Sequence, residues 1–187
     1  EYLPNWHPWE NYRDGYSARA DLGGGVVLTL CHPFDYLRWL LGEIDSVQAF
    51  FGYNGDLGLK EVEDTAEVNL KFGNGVLGSI HLNYNQRPSV HDLSIVGTEG
   101  TIYWDGLEGY LKIFHSKTEK WKDYSLGDDF KRNDLFLAEM QHFLDIINNR
   151  DTSVCSLRDG IIVQKIIQTA KESERKGTAI KLDFGQS

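Results

Sequence analysis

The sequence is short of most features that mark an exported, membrane-bound or nucleic-acid-binding chain. Only two cysteines, Cys31 and Cys155, occur in 187 residues, with no CxxC pair between them. Reduced thiols in a cytoplasm are therefore expected, not a disulfide framework. No apolar segment approaches the roughly 20 residues that a bilayer-spanning helix needs. The opening residues, EYLPNWHPWE, lack the charged-then-apolar layout of an export signal. Basic charge is scarce as well: 19 Lys and Arg face 28 Asp and Glu, a formal charge of -9. Without a Lys/Arg-rich run to follow a phosphate backbone, nucleic acid is not an expected partner. The sole methionine is Met140 and the chain opens at Glu1, which reads as one piece of a longer polypeptide.

What is present suits a globular domain. Hydrophobic residues make up 41% and charged residues 25% of the chain, enough to bury a core, and one domain over 1–187 is expected. Residues 1–21 carry Trp6, His7, Trp9, Tyr12, Arg13 and Tyr16 without a steady period, as an irregular loop would. Leu30, Phe34, Leu37 and Leu41 then fall on one helical face that ends at Gly42. From about residue 46 the period changes to two. Ala66, Val68, Leu70 and Phe72 alternate with Thr65, Glu67, Asn69 and Lys71 before the hairpin turn Phe72-Gly73-Asn74-Gly75. SVQAFFGY, VLGSIHLNY, HDLSIVG, GTIYWD and YLKIFH are further strand-like runs, with Gly97-Thr98-Glu99-Gly100 as another tight turn.

Helices return near the end. Phe136, Met140, Phe143 and Ile147 repeat at helical spacing, and Ser156 with Asp159 opens a second helix striped by Ile162, Val163, Ile166, Ile167 and Ala170. The run AIKLDF adds a last short strand. The expected architecture is α+β: one broad, open, mostly antiparallel sheet with helices packed on one face. Its other face would carry Thr65, Glu67, Asn69, Ser79, His81 and Asn83, suited to water, a partner subunit or a ligand.

Three chemistries compete for the segment LGGGVVLTLCHPFDYLRWLLG, residues 22–42. Gly23-Gly24-Gly25 before a helix suggests a phosphate cradle, but neither G-x-G-x-x-G nor G-K-[ST] is present, and a tight turn serves the glycines as well. His32 and Asp35 at i, i+3, with Cys31, His81 or His91, offer metal-ligand types at a spacing common by chance, and no metal is expected. His32 as a proton carrier is the third option, against a merely hydrogen-bonded histidine. Pro33 belongs in a first helical turn, so the helix either starts near His32 or kinks there, leaving His32 at an edge. Trp9, Tyr12 and Arg13 suit either a sugar- or carboxylate-binding loop or a lid over a core edge.

The combination of GGG, His32-Pro33-Phe34-Asp35, Leu37-Arg38-Trp39-Leu40, Gly42 and SVQA, with the later LSIVGTEGTIYWD, resembles the C-terminal domain of the Gfo/Idh/MocA (glucose-fructose oxidoreductase / inositol 2-dehydrogenase) family. The resemblance runs over nearly the whole chain. It implies an open-sheet substrate-binding and oligomerisation domain, preceded in the parent protein by a Rossmann domain that binds NAD or NADP and is absent here. It also implies hydride transfer on a sugar, polyol or sugar derivative, with His32 as the catalytic proton carrier and no activity in this piece alone. Asp35 matches an acid commonly found three residues after that histidine and is taken with Tyr84, Arg87, Trp9, Tyr12 and Arg13 as substrate contacts. Where the family often has an aspartate four residues before the histidine, this chain has Leu28, with Thr29 the nearest polar residue. A cytoplasmic homo-oligomer paired through the open sheet face is expected. The rival expectation is a non-catalytic carbohydrate-binding or oligomerisation scaffold.

Overall fold

The structure, a computed structural model, describes residues 2–127 and 129–183. Three short 3-10 turns, Leu3–Asn5, Tyr16–Ala18 and Ala20–Leu22, precede α1 (Val26–Thr29) and α2 (His32–Leu41). Strands β1 (Ile44–Gly52), β2 (Thr65–Phe72), β3 (Leu77–Asn83), β4 (Asp92–Gly97), β5 (Gly100–Asp105), β6 (Tyr110–His115) and β7 (Lys120–Ser125) follow, then α3 (Arg132–Ile147), α4 (Leu157–Lys176) and β8 (Ile180–Lys181). Phe184, the end of the expected last strand, lies outside the described residues. The chain divides into two compact units: Glu1–Pro88 with Cys155–Ser187, and Ser89–Val154. The α+β class and antiparallel pairing are as expected, but the strands form two four-stranded sheets where one broad sheet was expected.

In the first unit the order is β3-β2-β1-β8. Strict alternation sends Ala66, Val68, Leu70 and Phe72 of β2 inward with Val47, Ala49, Ile80 and Leu82, all buried. Each large side chain so buried is worth about 1.5–3 kcal/mol. α4 covers this face with Val163, Ile166, Ile167 and Ala170. Its start is capped by Ser156, whose Oγ accepts from the Asp159 backbone N–H at 3.3 Å while Asp159 accepts from the Ser156 N–H at 2.7 Å. At its end Ser173 Oγ donates to the Thr178 carbonyl and accepts from the Ala49 N–H, fastening helix to sheet.

The second unit holds the meander β4-β5-β6-β7 with α3. β7 was not anticipated, because KWKDYS has no apolar alternation and every one of its residues is exposed. The helical stripe of Phe136, Met140, Phe143 and Ile147 forms α3 as expected, but the stripe is exposed where a core face was expected.

Candidate functional site

The helix edge is built by an interruption. Leu30, at φ -100 and ψ 45, ends α1, and the chain restarts at Cys31 with Pro33 in the first turn of α2. Proline has no N–H to lose there. Phe34 and Leu37 are buried and anchor α2, leaving His32 exposed at its first residue. Among the described residues the His32 imidazole has no hydrogen bond or ion pair. Asp35, half-buried, follows in the same first turn. Burial pushes the neighbouring Cys31 thiol up, with the Asp35 charge adding to it.

Arg38 fixes the other end of α2. Its guanidinium donates twice to Glu43, at 2.8 and 2.7 Å, and once to Asp159 at 2.9 Å, tying α2 to the start of α4. Glu43 first, then Asp159, hold Arg38 in its charged form. The Ser156 hydroxyl and N–H, with Arg38 behind them, keep the Asp159 carboxyl well below the usual aspartate range.

The glycine turn does not fit a dinucleotide phosphate. α1 is a single turn, and its N-terminus is already filled by Glu63: the Val26 N–H bonds the Glu63 carbonyl and the Val27 N–H its carboxylate, at 3.0 and 3.1 Å. A Cβ on Gly24 would lie 2.3 Å from the Tyr16 carbonyl. The glycines serve close packing, with a buried carboxylate where an anionic ligand would have to enter.

The loop residues divide. Tyr12 Oη and Arg13 both donate to the Leu57 carbonyl, at 2.9 and 3.1 Å, with the guanidinium over the Tyr12 ring. Trp9 is exposed and stacks on His7. Tyr84 requires a correction: it is completely buried, its hydroxyl donating to the Ser17 carbonyl at 3.3 Å and its ring edge-on to Trp6. Strand alternation sends it inward with Leu82, where it holds the loop from the core side instead of standing on the surface. Burial pushes its phenol far above the usual tyrosine range.

Arg87 belongs with residues that sequence reasoning did not connect. On the outer face of the first sheet, away from α4, Glu67 pairs with His81 across β2 and β3. His81 Nδ1 lies 2.5 Å from Glu67 Oε1 and Nε2 lies 2.6 Å from Asn83 Nδ2. Thr65, His81, Asn83, Asn85, Gln86 and Arg87 line an open cavity of about 320 Å³ there. The hairpin turn at 72–75 fixes the register that makes Glu67 and His81 neighbours, and that signal was available in the sequence. His32 belongs to the helical layer over the opposite face.

A profile of the oxidoreductase family, C-terminal alpha/beta domain, of the Gfo/Idh/MocA type matches residues 2–182. The chain belongs to this family. This Gfo/Idh/MocA C-terminal domain is 27% identical to the scyllo-inositol 2-dehydrogenase (NAD(+)) of Bacillus subtilis (strain 168), a match covering 86% of the chain and 48% of the relative. Levoglucosan dehydrogenase, solved in complex with NADH, superposes with a TM-score of 0.82 at 19% identity, over 90% of this chain and 53% of that one. An NAD binding oxidoreductase from Klebsiella pneumoniae gives 0.79 at 18% identity, over 91% and 54%. The chain spans about half the length of the curated relatives it matches. Among the described residues no helix is long and apolar enough to cross a membrane.

Proposed function

We propose that the protein is an NAD(P)-dependent dehydrogenase of a sugar, polyol or sugar derivative, in which this chain is the substrate-binding domain and His32 carries the proton. The observation behind this is the exposed imidazole of His32, without a partner among the described residues, at the start of α2. An imidazole is the side chain best suited to exchange a proton near neutrality. The names of similar proteins support the substrate class: one relative is a scyllo-inositol 2-dehydrogenase (NAD(+)), and a structural neighbour was solved with NADH and levoglucosan.

The nicotinamide, held by a domain outside these residues, is the hydride acceptor when bound. His32 takes the hydroxyl proton from the carbon that is oxidised, so a secondary alcohol becomes a ketone. The exposed Trp9 ring offers a flat surface for the C–H face of a sugar. The reading also makes the protein a cytoplasmic homo-oligomer, joined through the outer face of the first sheet, where Phe50 and Leu77 are exposed.

The test is made on the whole protein: NADH and NADPH are titrated by nicotinamide fluorescence, and sugars and polyols are then screened for oxidation. Cofactor binding with kcat reduced by about 10²–10⁴-fold in His32→Ala is expected. Unchanged turnover in that variant removes His32 from the reading. Failure to bind either cofactor removes the dehydrogenase and leaves a carbohydrate-binding scaffold.

A further inference from the structure

We propose that the apolar stripe of α3 is a docking surface for the remaining part of the same polypeptide, the part that the dehydrogenase reading makes the nicotinamide domain. The identity of the occupant rests on that reading, and the surface itself rests on the helix.

α3 satisfies its polar side from its own segment. Asp134 accepts from the Lys131 backbone N–H at 3.0 Å, the Gln141 amide donates to Asp145 at 3.0 Å, and the Asn148 amide donates to the Leu144 carbonyl at 2.7 Å. His142 Nδ1 meets Asp151 at 3.2 Å. Each of these partners lies within nine positions in sequence, so this side of the helix asks for nothing further away.

The apolar side has no such closure. Phe136, Met140, Phe143 and Ile147 are spaced four, three and four apart and share one face, with Leu137 and Leu144 along its edge. All six are exposed, and no residue of α3 is buried. At helical spacing Glu139, Gln141 and Asp145 fall outside this arc, so from Phe136 to Ile147 it carries no charge and no amide.

Composition tells what kind of partner fits. Surfaces that meet and part keep polar groups among the apolar ones, whereas permanent interfaces resemble a core cut in half. Two phenylalanines, a methionine and three aliphatic side chains without a charge are of the second kind, and methionine adapts its shape to an uneven partner. A permanent occupant is best supplied by the same polypeptide, because tethering raises its effective concentration to about the millimolar range. The length needed is at hand, since the chain covers 48% and 50% of the curated relatives it matches. A second copy already has its place in the functional reading, on the outer face of the first sheet at Phe50 and Leu77.

The test is made on the whole protein with its native side chains. Met140 is the only methionine of these 187 residues, and trypsin releases it in the peptide 133–150, so its oxidation by hydrogen peroxide is followed by peptide mass spectrometry. Met140 is 57% exposed in this chain, and docking should slow its conversion to the sulfoxide by about tenfold or more in the native protein relative to the same protein in urea. Native and unfolded rates within about twofold of each other overturn the proposal. The occupant is identified by p-benzoylphenylalanine introduced at Phe143, in a protein whose circular dichroism matches wild type. A photo-cross-link that keeps the mass of one polypeptide and maps outside residues 1–187 is expected. One that doubles the mass assigns the stripe to a second copy and overturns the proposal, as does one that maps only within residues 1–187. Cofactor titration remains a separate readout. Protected, intramolecularly cross-linked α3 in a protein that binds neither NADH nor NADPH keeps the docking and removes the dehydrogenase, whereas free oxidation in a protein that binds either removes the docking alone.

Discussion

Glu63 lies against Gly25: its carboxylate caps α1 at Val27 and fills the space a side chain at position 25 would need, with Glu63 Oε1 2.5 Å from where a Cβ would stand. Gly25 also has φ +106, a conformation that strains any other residue. Gly25→Ala therefore combines backbone strain with displacement of a buried carboxylate, and a loss of about 2–4 kcal/mol in urea unfolding is expected. A loss below about 0.5 kcal/mol would mean that Glu63 moves aside freely.

Gly160 is the contrasting case. It is exposed within α4, and nothing lies within 4 Å of a Cβ placed on it. Gly160→Ala should stabilise the protein by about 0.5–1 kcal/mol, the usual helical difference between the two residues. A fall in the melting temperature would contradict the open surroundings of that position.

Acid should act through Asp159. Its folded-state carboxyl sits below the ordinary value of 3.8, held there by Ser156 and then Arg38. A depressed carboxyl contributes stability above its unfolded value that is lost as pH falls toward the folded one. Asp159→Asn should flatten the decline in stability below about pH 4 and weaken the start of α4 at neutral pH. Identical acid limbs in wild type and variant would remove Asp159 from this role.

At the alkaline end the group is Tyr84. Burial raises its phenol above the ordinary value of 10.0, so the protein is at full strength below that value and loses stability as pH rises beyond it, when the unfolded chain releases the proton first. Tyr84→Phe should remove this part of the alkaline transition. At neutral pH it should cost only about 1 kcal/mol, the worth of the bond to Ser17. A variant that unfolds at the same alkaline midpoint as wild type would show that another group governs.

The second unit should not stand alone. No described residue in Ser89–Val154 is buried, and the apolar residues of α3 are exposed. A peptide of 89–154 is expected to melt without a cooperative transition in circular dichroism, because no enclosed apolar core offsets the ordering of its backbone. A sharp two-state transition would refute this.

Local rules carried much of the fold. The alternation of β2, the Gly97–Gly100 turn and the Ser156–Asp159 cap could all be read in sequence, since each rests on neighbours within a few positions. The break at Leu30–Cys31 was half legible: Pro33 marked a helix start, but nothing local separated a fresh start from a kink. Exposure of the α3 stripe was not legible, because periodicity says which residues share a face and not what meets that face. At the site, alternation along β3 placed His81 and Asn83 outside and Tyr84 inside, so Tyr84's burial was implied by a pattern already in view. The Glu63 cap on α1 was not, since it joins residues 36 positions apart through tertiary packing.

The first unit is interrupted in sequence by the second, and this sets an order for its synthesis. β1, β2 and β3 leave the ribosome well before α4, with all of Ser89–Val154 still to be made. At roughly 5–20 residues per second, their inner face of Val47, Ala49, Val68, Leu70, Ile80 and Leu82 stays bare for several seconds. The nascent chain is thus a sticky half-sheet waiting for its lid, and a stall or premature stop after Pro88 would release a species suited to chaperones or aggregates.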